Sequence, residues 1–200
     1  MSRSQGETIL QKMYGTQNRA TTFYNNQILN YLNPMMIDFI SEQEMVFIST
    51  SDRKGNCDSS FRSGEAGFVR VIDNHTVMYP EYRGNGVYAS LGNIYDNPHI
   101  GLLFIDFFTY CIGLHVNGQA TIIENRDLIN HPLINENIIE EINHTEGTRA
   151  ERWVVIKIEE AYIHCSKHIP LLRKVNKEIY WGTDDERHKG GDFFKAKNKK

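Results

Sequence analysis

Residues 79–107 read YPEYRGNGVYASLGNIYDNPHIGLLFIDF, and this stretch decides the fold. The polar, glycine-rich loop at 80–86 separates a β-rich segment from a segment whose apolar residues recur at helical spacing. Asn97-Pro98 ends that helix, and residues 100–108 then form an apolar strand. The apolar residues of the helix face are Val87, Leu91 and Ile94. The pattern predicts one helix inserted between strands.

Short β-rich segments joined by tight links lie on both sides of this stretch. Asp52 to Asn56 and Asp73-Asn74 carry turn signals, so consecutive strands pair in antiparallel fashion. About six strands in this order favour a small barrel, because closure removes exposed sheet edges. We therefore expect a mainly β (α+β) chain: a six-stranded antiparallel barrel with flanking helices. The predicted strands are 45–50, 57–62, 68–72, 76–79, 100–108, 112–123 and 153–165.

The segments outside the barrel are predicted from periodicity and breakers. The first 43 residues have helical spacing, with Thr16 or Thr21 as a cap, a break at Asn33-Pro34 and a short second helix at 35–40. We expect a single domain over 1–182. Its parts are a helical cap at 1–43, an insertion at 124–151 with a helix around 134–142, and a helix at 168–180. A flexible tail at 183–200 follows.

Composition excludes several classes of function. The chain has 200 residues with 22 basic and 25 acidic side chains, a formal net charge of −3. This balance disfavours a nucleic-acid binder that relies on phosphate neutralisation. A hydrophobic content of 40% excludes a disordered chain. No run approaches the roughly 18 apolar residues of a membrane span, and the start has no signal peptide. Three widely spaced cysteines fit reduced thiols in the cytoplasm.

The glycine-rich loop admits two interpretations. Gly84 to Ala89 fits G-x-G-x-x-A, but a dinucleotide site is disfavoured because the preceding strand pairs antiparallel and no second βαβ unit follows. Glycines, a helix N-terminus, Arg83 and Ser90 suit a phosphate. A plain turn that begins an amphipathic helix explains the same residues equally well. Ser60 and Arg62 share one strand face and could hold an anion, although a solvated face is the simpler explanation.

Other reactive residue types give weaker signals. His164-Cys165-x-x-His168 contains metal-ligand types but lacks the ligands that zinc needs, so no metal site is predicted. A buried, inert thiol is the simplest interpretation of Cys165, and a redox role stays open. His115 lies in an apolar strand and is expected to be a hydrogen-bonded core residue. No catalytic residue can be assigned from these motifs.

Taken together, four segments resemble one family. They are GNCDSSFRSGEAGFVRVID (55–73), the stretch 79–107, IGLHVNGQATI (112–122) and AYIHCSKHIP (161–170). Over about 45–165 the chain resembles the pyridoxamine 5′-phosphate oxidase-related, FMN-binding split-barrel family, in particular an uncharacterised bacterial branch. The resemblance implies a homodimer with FMN at its interface, hydride transfer at flavin N5, and a small substrate of unknown identity.

The resemblance also implies a set of cofactor-binding residues. One strand would run along the flavin toward its phosphate, the next strand end would lie near the ring, and the loop would replace an Arg-Lys pair that the oxidases carry. A residue near a partner-subunit glutamine of the oxidases, together with residues 162–168 and Trp181, would complete the site from the second chain. The strand residues along the flavin are Ser60, Phe61 and Arg62, and those near the ring are Tyr79 and Pro80. The loop and the helix start contribute Arg83, Asn85, Gly86 and Ser90. From the second chain, Gly113 and Lys167 belong to this set.

The chain also departs from the family's oxidases. Their Arg-x-His-x-Arg substrate signature is missing from YIHCSKHIPLLRKVNKEIYWG at 162–182, so we do not expect a genuine pyridoxamine phosphate oxidase. The leading hypothesis is an FMN-dependent oxidoreductase. The alternatives are a non-catalytic flavin-binding or redox-sensing protein that uses Cys165, a haem-handling protein with His164 or His168 as ligand, and a scaffold without cofactor.

Overall fold

The computed structural model describes residues 3–198, which contain five α-helices and seven strands. The helices are α1 (Gln5–Met13), α2 (Gln17–Gln27), α3 (Pro34–Ser41), α4 (Ala89–Asp96) and α5 (Glu136–Thr145). The strands are β1 (Met45–Ser51), β2 (Cys57–Ser63), β3 (Arg70–Asp73), β4 (Thr76–Tyr82), β5 (His99–Asp106), β6 (Ile112–Glu124) and β7 (Ala150–His164). No helix in this part of the chain is long and apolar enough to cross a membrane.

All strands belong to one sheet in the order β2-β1-β5-β6-β7-β4-β3. Every pairing is antiparallel. The predicted antiparallel split barrel with flanking helices is confirmed. It has seven strands rather than six, one for each of the seven predicted β segments. The antiparallel pairing of β4 also removes the parallel βαβ unit that a dinucleotide fold requires.

The sheet separates two apolar clusters. The inner cluster fills the barrel with side chains of β1, β4, β5, β6 and β7, together with Leu91 and Ile94 of α4. The second cluster packs Trp153 against Leu128 and Ile142 of the segment that connects β6 to β7. The 124–151 insertion is therefore anchored on the sheet by its own small core. Its predicted helix is confirmed as α5.

The N-terminal region contains three helices. Ser4 caps α1 through a reciprocal capping box with Glu7, and Asn33 caps α3. Thr16 occupies the N-cap position of α2, as predicted, although its side chain makes no capping bond. Neither α1 nor α2 contributes a buried residue, whereas Leu32, which follows them, is 1% exposed in the inner cluster. The cap therefore lies at the periphery of the molecule.

The structure differs most from the prediction at the end of β4, at the start of β7 and at 168–180. Pro80 belongs to β4, where it pairs with Trp153 of β7. The strand tolerates proline here because β3 ends before this position, so no neighbouring strand needs the N–H that proline lacks. Strand β7 begins at Ala150 instead of 153. The helix expected at 168–180 does not form: after a 3₁₀ turn at Ser166–His168 the chain runs without regular structure. Leu172 N–H donates to the carbonyl of Phe107 instead, so a tertiary contact replaces the helical bond.

Candidate functional site

A groove of about 520 Å³ lies where β2 and the end of β4 meet the glycine-rich loop. Its wall is formed by the loop at 84–88 and the first turn of α4, and Arg152 at the start of β7 and Trp181 close it. Six of the predicted site residues line it: Ser60, Phe61, Arg62, Asn85, Gly86 and Ser90. The structure thus brings the predicted β2 residues and most of the predicted loop residues to one place.

An ion pair crosses the split of the barrel beneath this groove. Arg62 of β2 donates through Nε and Nη2 to one carboxylate oxygen of Glu81 on β4, at 2.9 and 2.8 Å. The side chains are 20% and 9% exposed, so the pair is largely shielded from water. Strands β2 and β4 are not neighbours in the sheet order. This ion pair therefore connects the two ends of the sheet across the gap where the barrel is open.

Burial dominates the electrostatics of Glu81. It raises the pKa of the carboxyl above its ordinary value, and the positive charge of Arg62 offsets this only in part. Tyr79 lies two residues earlier on the same strand face. Its hydroxyl is fully buried, has no hydrogen-bond partner, and has a pKa raised by burial and by the charge of Glu81. Tyr79 and Pro80, both predicted to approach the flavin ring, are buried beside the groove rather than lining it.

The first turn of α4 forms the opposite wall. Tyr88 precedes the helix in the left-handed conformation with φ 55°, and its side chain does not cap it. The hydroxyl of Ser90 donates to Asp58 on β2 at 2.7 Å. The amides of this first turn lie at the positive end of the helix dipole and have no partner within the helix. This wall can donate hydrogen bonds to an anion.

The second guanidinium of the groove belongs to a residue that no sequence pattern indicated. Arg152 lies over the ring of Tyr88 at 5.2 Å and within 3.5 Å of Glu124. The predicted cation, Arg83, does not line the groove: it forms an exposed ion pair with Asp184 at 2.9 Å. Arg152 gave no local signal, because only the pairing of Glu81 with Arg152 across β4 and β7 brings it here.

The last two predicted residues do not line the groove. Gly113 pairs with His164 at one end of the β6–β7 ladder, whereas Glu124 pairs with Arg152 at the other end. At ~3.3 Å per residue, about 35 Å separates the two ends along the strands. Lys167, in the turn after β7, lies at the end near Gly113. Within one chain, Gly113 and Lys167 therefore lie at the end of the β6–β7 ladder opposite Arg152 and outside the lining of the groove.

Two histidines are in contact at that end of the ladder. His115 Nε2 lies 2.9 Å from His164 Nδ1, and its ring stacks on Tyr162 with centroids 4.6 Å apart. Burial, together with His164, lowers the pKa of His115. His115 is therefore hydrogen-bonded, as predicted, but only partly buried. Cys165 and His168 are exposed, so the expectation of a buried thiol at Cys165 is wrong.

Comparison with known proteins identifies relatives of this fold. Residues 32–165 match the family model described as pyridoxamine 5′-phosphate oxidase. Among proteins with curated descriptions, none matches the sequence.

Solved structures share the architecture at low sequence identity. HupZ from Group A Streptococcus is 21% identical with a TM-score of 0.50, over 66% of this chain and 93% of that chain. A putative pyridoxamine 5′-phosphate oxidase from Lactobacillus delbrueckii is 20% identical with a TM-score of 0.49, over 68% and 98%. HutZ from Vibrio cholerae, described as a heme storage protein, is 14% identical with a TM-score of 0.45, over 66% and 94%.

Proposed function

Because the chain belongs to the pyridoxamine 5′-phosphate oxidase family, we propose that it binds FMN in the groove between β2 and α4. We further propose that it is an oxidoreductase that acts on a small substrate. The observation that carries this proposal is the donor set of the groove. Guanidinium, hydroxyl and helix N-terminal amide groups line the same concave surface as aromatic side chains.

The residues present suit the two halves of this cofactor. Arg62, Ser60 and the first turn of α4 offer charged and neutral donors to a phosphate. Phe61, 51% exposed, and Trp181 offer apolar surface to a planar ring. The volume of about 520 Å³ lies within the range of about 300–1,000 Å³ typical of cofactor sites. The groove therefore fits FMN, and the carboxylates of Asp58 and Glu81 are the features that oppose its phosphate.

When bound, FMN supplies the hydride-transfer chemistry at N5, and the protein supplies position and shielding. Tyr82 and Trp181 pack with ring centroids 6.0 Å apart beside the groove. Tyr82 in turn donates to Glu146 at the end of α5, at 2.8 Å. The 124–151 insertion thus shapes the edge of the pocket. Together with the missing Arg-x-His-x-Arg signature, this supports a substrate other than pyridoxamine phosphate.

We propose a homodimer as the functional unit. Gly113 and Lys167 do not line the groove, and on the β6–β7 ladder Gly113 lies at the end opposite Arg152. A second copy that packs with its ladder end against the groove would supply them. Two FMN molecules would then lie at the interface between the copies.

The test is the visible absorption spectrum of the purified full chain before and after addition of FMN, followed by size-exclusion chromatography with light scattering. We expect a two-band flavin spectrum that co-migrates with a dimer and that NAD(P)H or another donor bleaches faster than free FMN. Arg62→Ala should weaken FMN binding by tenfold or more, since it removes the charged donor. Arg83→Ala is the matched control, because Arg83 lies outside the groove.

Other outcomes distinguish the alternatives. Bound FMN that no donor reduces would favour a flavin-binding or redox-sensing protein over an enzyme. A chain that ignores FMN but shifts the spectrum of added haem would favour haem handling, and loss of that shift in His164→Ala or His168→Ala would identify the ligand. A chain that binds neither would contradict the proposal.

A further inference from the structure

We propose that Glu81 determines how tightly the groove binds a phosphorylated ligand, because its carboxylate occupies the guanidinium that the phosphate requires. A phosphate that binds Arg62 displaces this carboxylate, and Glu81 takes up a proton as it leaves the ion pair. The inference rests on the proposed function, in which the groove accepts FMN. It adds a residue that sets the preference between a phosphorylated ligand and its unphosphorylated counterpart.

The guanidinium of Arg62 is already hydrogen-bonded before a ligand enters the groove. A guanidinium has five N–H groups in a fixed fork. Nε and Nη2 of Arg62 both donate to Glu81, and Nη1 donates to the carbonyl of Phe61 at 3.2 Å. The bidentate Nε–Nη2 edge, which is the edge that suits a phosphate best, is therefore already engaged by a carboxylate.

The positive and negative charges that face the groove balance each other. Arg62 and Arg152 contribute two positive charges, and Asp58 and Glu81 contribute two negative charges. Arg152 is further balanced by Glu124 at 3.5 Å and Glu151 at 3.3 Å. A phosphate dianion that enters with Glu81 ionised therefore meets no net positive charge. If one of the two carboxylates becomes protonated, the groove has a net positive charge that attracts the phosphate.

Glu81 is more deeply buried than Asp58, and it is therefore the carboxylate that takes up the proton. Asp58 is half-buried and accepts a hydrogen bond from Ser90. Glu81 is 7% exposed, beside the unpartnered hydroxyl of Tyr79, and burial raises its pKa. Since a buried carboxylate without its cation is costly, the displaced Glu81 is stabilised by protonation. A nearby phosphate raises the proton affinity of Glu81 further, so binding takes up a proton and is strengthened as pH falls while the phosphate stays dianionic.

The experiment compares FMN with riboflavin, which has the same ring without the phosphate. Binding to the full chain and to Glu81→Gln is measured by calorimetry at pH 7.5 in two buffers of different ionisation enthalpy. The glutamine keeps an acceptor for Arg62 but removes the charge. We expect Glu81→Gln to bind FMN about tenfold more tightly, which is about 1.4 kcal/mol. Its affinity for riboflavin should stay within about twofold of the parent.

The proton balance is the second readout. The parent chain should take up protons with FMN but not with riboflavin, and Glu81→Gln should take up none. The phosphate itself cannot supply this signal, because its second pKa is about 6 and binding to a cation only lowers it. Glu160→Gln, outside the groove, is the control for loss of one carboxylate.

The outcomes separate this inference from the proposed function. Two results would contradict the role proposed for Glu81 while FMN binding itself stands. In the first, Glu81→Gln binds FMN with the same affinity as the parent chain. In the second, the parent chain binds FMN without taking up a proton. If neither flavin binds the parent, the proposed function fails first. Should Glu81→Gln not fold, the proton uptake of the parent chain with FMN against riboflavin still decides the inference.

Discussion

Arg62 and Arg70 each lie beside a buried carboxylate, and the two contacts have different roles. Arg62 and Glu81 meet at the groove, where a ligand can compete for the guanidinium. Arg70, 7% exposed, lies deeper, with Nη1 3.6 Å from Glu146 and the guanidinium over Trp153 at 5.4 Å. A buried carboxylate left without its cation keeps its desolvation cost. The Arg70 contact therefore stabilises the attachment of the insertion to the sheet.

At the residue scale, Arg70→Ala should lower the free energy of unfolding by about 3 kcal/mol, because the buried Glu146 carboxylate then keeps only Arg149, at 3.9 Å, as a nearby cation. Addition of Glu146→Gln should recover part of this loss by removing the charge. Urea unfolding followed by circular dichroism measures both effects. Arg53→Ala, which breaks an exposed pair with Asp96, is the control and should leave stability nearly unchanged. Equal losses in Arg70→Ala and Arg53→Ala would contradict this account.

The elements that organise the fold are β6 and β7, which form the longest ladder of the sheet. The ladder shifts register between Asn117 and Gly118. A Cβ built on Gly118 would lie 2.1 Å from the carbonyl oxygen of Lys157, so the neighbouring backbone leaves no room for a side chain. This close approach lets both strands continue past the bulge.

At the element scale, Gly118→Ala should therefore destabilise the protein by about 1–3 kcal/mol, since the methyl group must push strand β7 away. Gly92→Ala is the matched substitution. Gly92 lies on the exposed face of α4, and a Cβ added there would have no neighbouring atom within 4 Å, so alanine should stabilise the helix by about 0.5–1 kcal/mol. Thermal unfolding of the two variants should shift in opposite directions. A shift of the same sign for both would refute the steric argument.

On the scale of the whole molecule, the barrel is the stable unit and the first two helices lie outside it. Helices α1 and α2 bury no residue, and Leu10 is 51% exposed. Leu32, only five residues beyond the end of α2, is 1% exposed and packs in the inner cluster. Its N–H donates to the carbonyl of Asn74 at 2.8 Å. The boundary between cap and core thus falls within a few residues.

The same substitution on each side of that boundary tests this division. Leu32→Ala should cost about 2–5 kcal/mol, because it opens a cavity in the core. Leu10→Ala should leave the unfolding midpoint in urea almost unchanged, because the side chain is half exposed. A large loss in Leu10→Ala would mean that the α1 face is covered in solution, and light scattering on that variant would then show whether a second copy covers it.

Much of the architecture could be predicted from local patterns. Turn signals such as Asp52 to Asn56 and the β-rich segments between them predict antiparallel strands, and the breaker at Asn33-Pro34 places α3 correctly. The helix predicted at 168–180 does not form, and the N–H of Leu172 donates instead to the carbonyl of Phe107, just after β5. This contact joins residues distant in sequence, so local patterns do not reveal it.

The candidate site divides in the same way. Local sequence determined the β2 face with Ser60 and Arg62, and the glycine loop that leads into α4, because alternation and turn chemistry act over a few residues. Only the tertiary structure decided that Arg62 meets Glu81 and that Arg152, rather than Arg83, lines the groove. Those partners lie far apart in the chain, and only the register of β4 against β7 and the approach of β2 to β4 bring them together.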